Sequence, residues 1–203
     1  MGSYLSHFLV GSIPAAAVFS CFHSYRRRAL TGQKLHSGPW REFALTVFAA
    51  YLFGLAAMIL WPDYHFETSD GLWGNLVIHN AREGFRSNMN LIPFRTIANY
   101  LPGLASPDPS WAVIQLFGNI GTFLPLGFFP PLLFRNVRGK QALLLGLAYS
   151  AGAECLQFFL GRHCDVDDVI LNVLGVLLGY TLWRLLKGLF PGLSRRLHCR
   201  EVN

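Results

Sequence analysis

Residues Glu154–Tyr180 read ECLQFFLGRHCDVDDVILNVLGVLLGY. An apolar segment closes, a short loop dense in polar groups follows, and a second apolar segment begins. Glu154 and Gln157 stand three apart, so they share a face if that segment is helical. Asp168, Asn172, Gly175 and Gly179 recur at spacings of four, three and four, which again marks one helical face. Between the two sets lie Arg162, His163, Asp165 and Asp167. Charged groups within or beside membrane-spanning helices are costly, and such a cluster is a functional-site hypothesis by default. The plainer alternative for the loop is a polar hairpin at the water interface. That alternative serves less well for Glu154, which is set between Leu143–Leu147 and Phe158–Leu160.

Working outward, the composition supports a membrane setting. Hydrophobic residues make up 52% of the 203-residue chain and charged residues 14%. A soluble domain carries about a quarter charged residues. Five apolar runs approach the spanning length of about 20 residues: Tyr4–Phe22, Glu42–Trp61, Trp111–Phe134, Gln141–Leu160 and Val166–Leu186. The expected fold is all-α, a polytopic transmembrane helical bundle of about five spanning helices forming one domain over residues 1–203. The long segment 62–110 is expected outside, with Leu72–Ile78 and Leu91–Tyr100 as interfacial or re-entrant pieces too short to span.

Basic residues collect in the loop 23–41 (Arg26, Arg27, Arg28, Lys34, Arg41), in the loop 135–140 (Arg135, Arg138, Lys140) and in the tail (Arg195, Arg196, Arg200). With five spans these three segments share a side, which the positive-inside rule makes cytoplasmic. The chain is then a multi-pass cell-membrane protein with its N-terminus outside and its C-terminus in the cytoplasm. The net charge of +6 reports topology and no nucleic-acid partner. Met1-Gly2 with Ser6 fits a myristoylation pattern that requires a cytoplasmic N-terminus; a small residue after the initiator is the simpler account. Cys21, Cys155, Cys164 and Cys199 form no zinc spacing, and a Cys155–Cys164 disulfide near the outer face is conceivable. There is no internal repeat, which argues against a transporter built from duplicated halves.

At about 1.5 Å per residue, Asn119 lies about 12 Å inside the outer end of its span, Glu154 about 9 Å and Asn172 about 6–9 Å. Three polar side chains from three helices thus share a depth, either as interhelical hydrogen bonds or as a site. Pro125, Pro130 and Pro131 with Gly118, Gly121 and Gly127 make the third run irregular. Gly175 and Gly179 form a small-xxx-small packing face.

The segments NLIPF at Asn90–Phe94, NIGTFLPLGFF at Asn119–Phe129, ECLQ at Glu154–Gln157 and GRHCDVDDVILNVLG at Gly161–Gly175 resemble the VanZ-like membrane protein family. The likeness is strongest over residues 85–180, and the first two runs carry little of it. Position by position it carries over to Asn90, Pro93, Phe94, Asn119, Pro125, Gly127, Glu154, Gln157, Arg162, Asp165, Asp168, Asn172 and Gly175. The resemblance implies a protein acting at the outer leaflet or cell envelope, as in glycopeptide (teicoplanin) resistance. It does not imply a particular reaction.

Two functions follow. One is a binder that holds or shields a membrane lipid or lipid-linked envelope precursor. The other is a membrane enzyme that modifies such a precursor, with Glu154 as general acid or base and Asp165 and Asp168 as catalytic partners. Asn90, Asn119, Gln157, Arg162 and Asn172 are the candidate ligand-binding residues, Arg162 through its planar fork. No cofactor is firmly indicated. A divalent cation such as Mg²⁺ held by Asp165, Asp167 and Asp168 is one alternative, helix capping by the same acids another. A Glu154–Arg162 ion pair with a purely structural role is a third reading of these charges. No GxSxG or HExxH motif occurs.

Overall fold

Glycines set how the two central helices meet. Helix α5 spans Ser110–Leu133 and helix α7 spans Val166–Leu189. A Cβ added at Gly175 would strike the Ile120 carbonyl, at Gly179 the Leu124 carbonyl, and at Gly127 the Val176 carbonyl. The two backbones are therefore in contact along several turns, which any side chain at these positions would prevent. The small-residue face read from the sequence packs on α5.

The computed structural model describes residues 2–32, 35–60, 64–67, 75–78, 89–159, 164–192, 197–198 and 200–201. In chain order the other helices are α1 (Gly2–Cys21), α2 (His23–Gly32), α3 (Pro39–Leu60), α4 (Arg95–Tyr100) and α6 (Gly139–Phe159). A 3-10 turn, Leu101–Ala105, follows α4. Short strands make three two-stranded ladders. β1 (Leu35–His36) pairs antiparallel with β6 (Arg200–Glu201), and β2 (Tyr64–Glu67) pairs antiparallel with β3 (Asn75–Ile78). β4 (Met89–Asn90) pairs in parallel with β5 (Cys164–Asp165).

The core joins four helices: Tyr51, Leu55 and Ile59 of α3, Phe123 and Leu126 of α5, Ala142 and Ala153 of α6, and Val176 of α7 are buried together. The Tyr51 hydroxyl donates to the Thr122 carbonyl at 2.8 Å, close to Pro125, so a polar atom in this core is satisfied by backbone. α5 continues through Pro125, Pro130 and Pro131 as one helix. α1 lies along α3, where Gly11 meets the Phe53 carbonyl and Gly54 meets Phe8 and Ser12. Meanwhile Leu5, Ile13, Phe53, Phe117, Leu145 and Leu185 are exposed on helix surfaces. Acyl chains solvate such faces as readily as a protein core would.

The helices fall close to the five expected runs. Among the described residues, three helices are long and apolar enough to cross a membrane: Pro39–Ile59, Ser110–Leu133 and Val166–Leu189. The pair Leu5–Cys21 and Tyr25–Thr31, bent by 50°, would make a fourth. α6, read from the sequence as a span, is 21 residues long; its described part, in which Lys140, Gln141, Ser150, Glu154 and Gln157 interrupt the apolar residues, is not among those three. The expected loop 23–41 also changes, since His23–Gly32 is helical. In the long segment, Asn75–Ile78 is a hairpin strand and Arg95–Tyr100 a short helix; Leu72 lies outside the described residues.

Candidate functional site

α7 begins at Asp165, whose extended backbone (φ −128°, ψ 122°) and side chain, accepting the Asp167 N–H at 2.9 Å, cap the helix. Asp167 and Asp168 occupy the first turn, and Lys187 the last, so both ends complement the helix dipole. The three aspartates nevertheless have separate tasks.

Asp167 is fully buried. One oxygen accepts the Phe94 N–H at 2.5 Å; the other accepts the N–H groups of Thr96 at 2.7 Å and Ile97 at 3.0 Å. These are the orphan amides at the start of α4, whose own N-cap residue, Phe94, offers no side-chain acceptor. Asp167 supplies the missing cap from 71 residues away in sequence, measured to Thr96. Phe94 turns into that position with φ 66°, a left-handed conformation uncommon for a bulky residue. The segment Asn90–Tyr100 is thus a strap clamped onto the first turn of α7.

Asp165 fixes the other end of the strap. It accepts from Asn90 Nδ2 at 3.0 Å and from the Thr96 hydroxyl at 2.5 Å, while Asn90 Nδ2 also donates to Thr96 Oγ1 at 2.9 Å. The parallel pairing of Asn90 with Asp165 sets this register. Asp168 accepts from Asn119 Nδ2 of α5 at 2.8 Å. Glu154, 5% exposed, accepts the Asp165 N–H at 3.0 Å through Oε2. One turn deeper, Asn172 donates to Ser150 Oγ at 2.9 Å, both side chains buried; Asn172 Oδ1 has no partner among the described residues.

Two titrating groups border this cluster. Burial, then the carboxylates of Asp168 and Asp165, hold the Tyr100 phenol above its ordinary value, so it stays a neutral donor at physiological pH. Its ring meets Trp111 edge-on at 4.7 Å. Burial first, then Glu154, Cys155, Asp165 and Asp168, push the Cys164 thiol up. Cys155 and Cys164 are both free thiols, so the conceivable disulfide is not formed.

The structure therefore brings together Asn90, Asn119, Glu154, Asp165, Asp168 and, one turn below, Asn172. Gln157 is half-buried and outside this network of described side chains. Arg162 and His163 lie outside the described residues, and the Glu154–Arg162 pair with them. A divalent cation held by Asp165, Asp167 and Asp168 was one alternative for these acids. Among the described residues no three His, Cys, Asp or Glu side chains are arranged to hold an ion. The reason is geometric: Asp167 points its oxygens at strap amides, Asp165 at Asn90 and Thr96, and Asp168 at Asn119.

Sequence reasoning missed Thr96, Tyr100 and Ser150. Ser150 carried a signal, since it lies four residues before Glu154 on the same helix face. For Thr96 the signal was weaker, a hydroxyl two residues beyond the NLIPF segment.

Comparison of the chain with curated proteins and with solved structures returns no match. The match to a family extends further back than the expected 85–180, reaching into α3. The VanZ/LLP1 family model matches residues 47–187, more than half of the chain, and the protein belongs to that family.

Proposed function

We propose that this VanZ-like membrane protein acts at the strap end of its bundle, facing the cell envelope, by binding or shielding a membrane lipid or lipid-linked envelope precursor. Glycopeptide resistance of the teicoplanin type is the corresponding phenotype. One observation carries this reading. The acids at that end are committed as clamps, above all Asp167, whose two oxygens serve three strap amides. Both of its oxygens are occupied in holding the strap, which leaves it a structural role. The strap it positions exposes Leu91, Ile92 and Phe94 beside the Trp111 end of α5, a face suited to an acyl-chain neighbour.

A second reading keeps Glu154 as the general acid or base of a membrane enzyme. It is favoured by the burial of that carboxylate between Asp165 and the Ser150–Asn172 pair. Glu154→Gln separates the two, because the amide oxygen still accepts the Asp165 N–H while the proton chemistry is gone. The binder account expects cells expressing the variant to keep glycopeptide protection with an unchanged pool of lipid-linked precursors by mass analysis. Loss of protection in a variant that still inserts, together with an altered precursor pool, would favour the enzyme. For orientation, a cysteine placed at residues 33–34 is expected to resist impermeant labelling from outside; ready labelling would reverse the assignment of faces.

A further inference from the structure

The opposite end of the bundle holds a second polar cluster, independent of the strap. Leu197 of the tail is buried against Leu132 and Trp183, with Ala44 packed beside them. This seats Leu197 against the last turn of α5, Trp183 of α7 and the start of α3, where Arg41 stands three residues before Ala44. Three buried nitrogens there have no hydrogen-bond partner among the described residues: Arg41 Nε, Trp183 Nε1 and His198 Nε2. The Arg41 side chain is only 9% exposed.

The neighbouring acid is held mainly by other groups. Glu42 Oε2 accepts from Arg26 at 2.9 Å and lies 3.3 Å from His23 Nδ1, while Oε1 accepts from Ser37 at 2.5 Å. Arg41 reaches Glu42 only at 3.9 Å, through Nη1, which donates to Ser37 Oγ at 3.1 Å. Lys187 sits over the Trp183 ring at 5.0 Å. Burial, then Arg135, Lys187 and Arg41, hold the His198 imidazole below its ordinary value, against a hydrogen bond to the Pro131 carbonyl that works the other way. Three cations thus bear on one half-buried ring.

We infer that Arg41, Trp183, Lys187 and His198 form a binding site for a phosphate group. An unpartnered guanidinium Nε, an unpartnered indole N–H and an ammonium beside that indole call for an acceptor with several oxygens, and a tetrahedral phosphate serves donors from several directions at once; an anion there also favours the protonated imidazole, whose second N–H is then a further donor. Its source is either the headgroup of a phospholipid in the adjoining leaflet or a free phosphate. A bound phosphate would tie the tail to the bundle by joining α3, α7 and His198.

The test uses the full chain in zwitterionic detergent and follows the thermal midpoint. One arm adds inorganic phosphate; the other adds phosphatidylglycerol, with phosphatidylcholine as its control. A midpoint raised by phosphatidylglycerol alone assigns a lipid headgroup, and one raised by inorganic phosphate assigns free phosphate. No rise in either arm overturns the proposal. Lys187→Met, on an exposed last turn, should weaken half-saturation by about tenfold, the worth of one charge-assisted hydrogen bond. Arg41→Gln should weaken it further. Lys140→Met removes a charge outside the cluster and should leave half-saturation unchanged. If it weakens binding as much as Lys187→Met does, or if Lys187→Met has no effect, the site does not exist.

Discussion

At the strap end, Asp165, Asp167 and Asp168 are each met by donors from the strap or from α5. At the basic end, Arg41, Trp183 and His198 each keep a buried nitrogen without a partner among the described residues. Helix direction accounts for much of the contrast. The strap end gathers the N-termini of α4 and α7, whose orphan amides are natural partners for carboxylates. The basic end gathers the C-termini of α5 and α7, whose carbonyls favour cations, together with the first turn of α3, whose amides favour an anion. A chain can satisfy a buried acid from its own backbone at one pole and leave buried nitrogens without a partner among the described residues at the other.

The contrast breaks most sharply at Asp167. Replacing it by Ala orphans three amides, and each buried unsatisfied donor costs about 1–3 kcal/mol, so a loss of about 3 kcal/mol or more is expected in a detergent unfolding series. Asp167→Asn keeps one acceptor oxygen and should lose about half of that. A next-largest effect is expected in the seam joining the two poles. Gly179→Val drives a side chain into the Leu124 carbonyl and should cost about 1–3 kcal/mol or more, whereas Gly152→Ala meets no atom within 4 Å and should be close to neutral. Smaller still, Asn119→Ala removes one interhelical hydrogen bond to Asp168 and should cost about 1 kcal/mol.

The smallest expected effect is on pH and sets the poles apart. The His198 imidazole is held below its ordinary value of 6.5, so the unfolded chain binds the proton more readily. Its contribution is whole above 6.5 and fades as the pH falls through the lower, folded value. Backbone protection of the tail should therefore weaken on mild acidification while the strap holds. Equal weakening at both ends would dissolve the distinction.

Much of this was legible in residue spacing. The apolar runs gave helices within a few residues of α3, α5, α6 and α7, and Gly175 with Gly179 marked a seam that proved to face α5. Asn119, Glu154 and Asn172 were readable as a convergence because each lies near the same end of its helix. At α6 length and composition point different ways, since a helix of spanning length also carries the polar residues of the site. The role of Asp167 was hidden for a different reason. A side chain capping a helix more than seventy residues away leaves no local pattern, and DVDD reads equally well as a cation cluster or as the N-terminus of α7. The left-handed turn at Phe94 was hidden too, since a phenylalanine adopts it only when distant contacts hold it there.

The clamp itself is the most direct thing to measure. Hydrogen exchange at the Phe94, Thr96 and Ile97 amides should be slow in the native chain and should accelerate together in Asp167→Asn, while amides in the middle of α7 keep their protection. Exchange at those three amides that is already fast in the native chain, or that is unchanged by the substitution, would contradict the account.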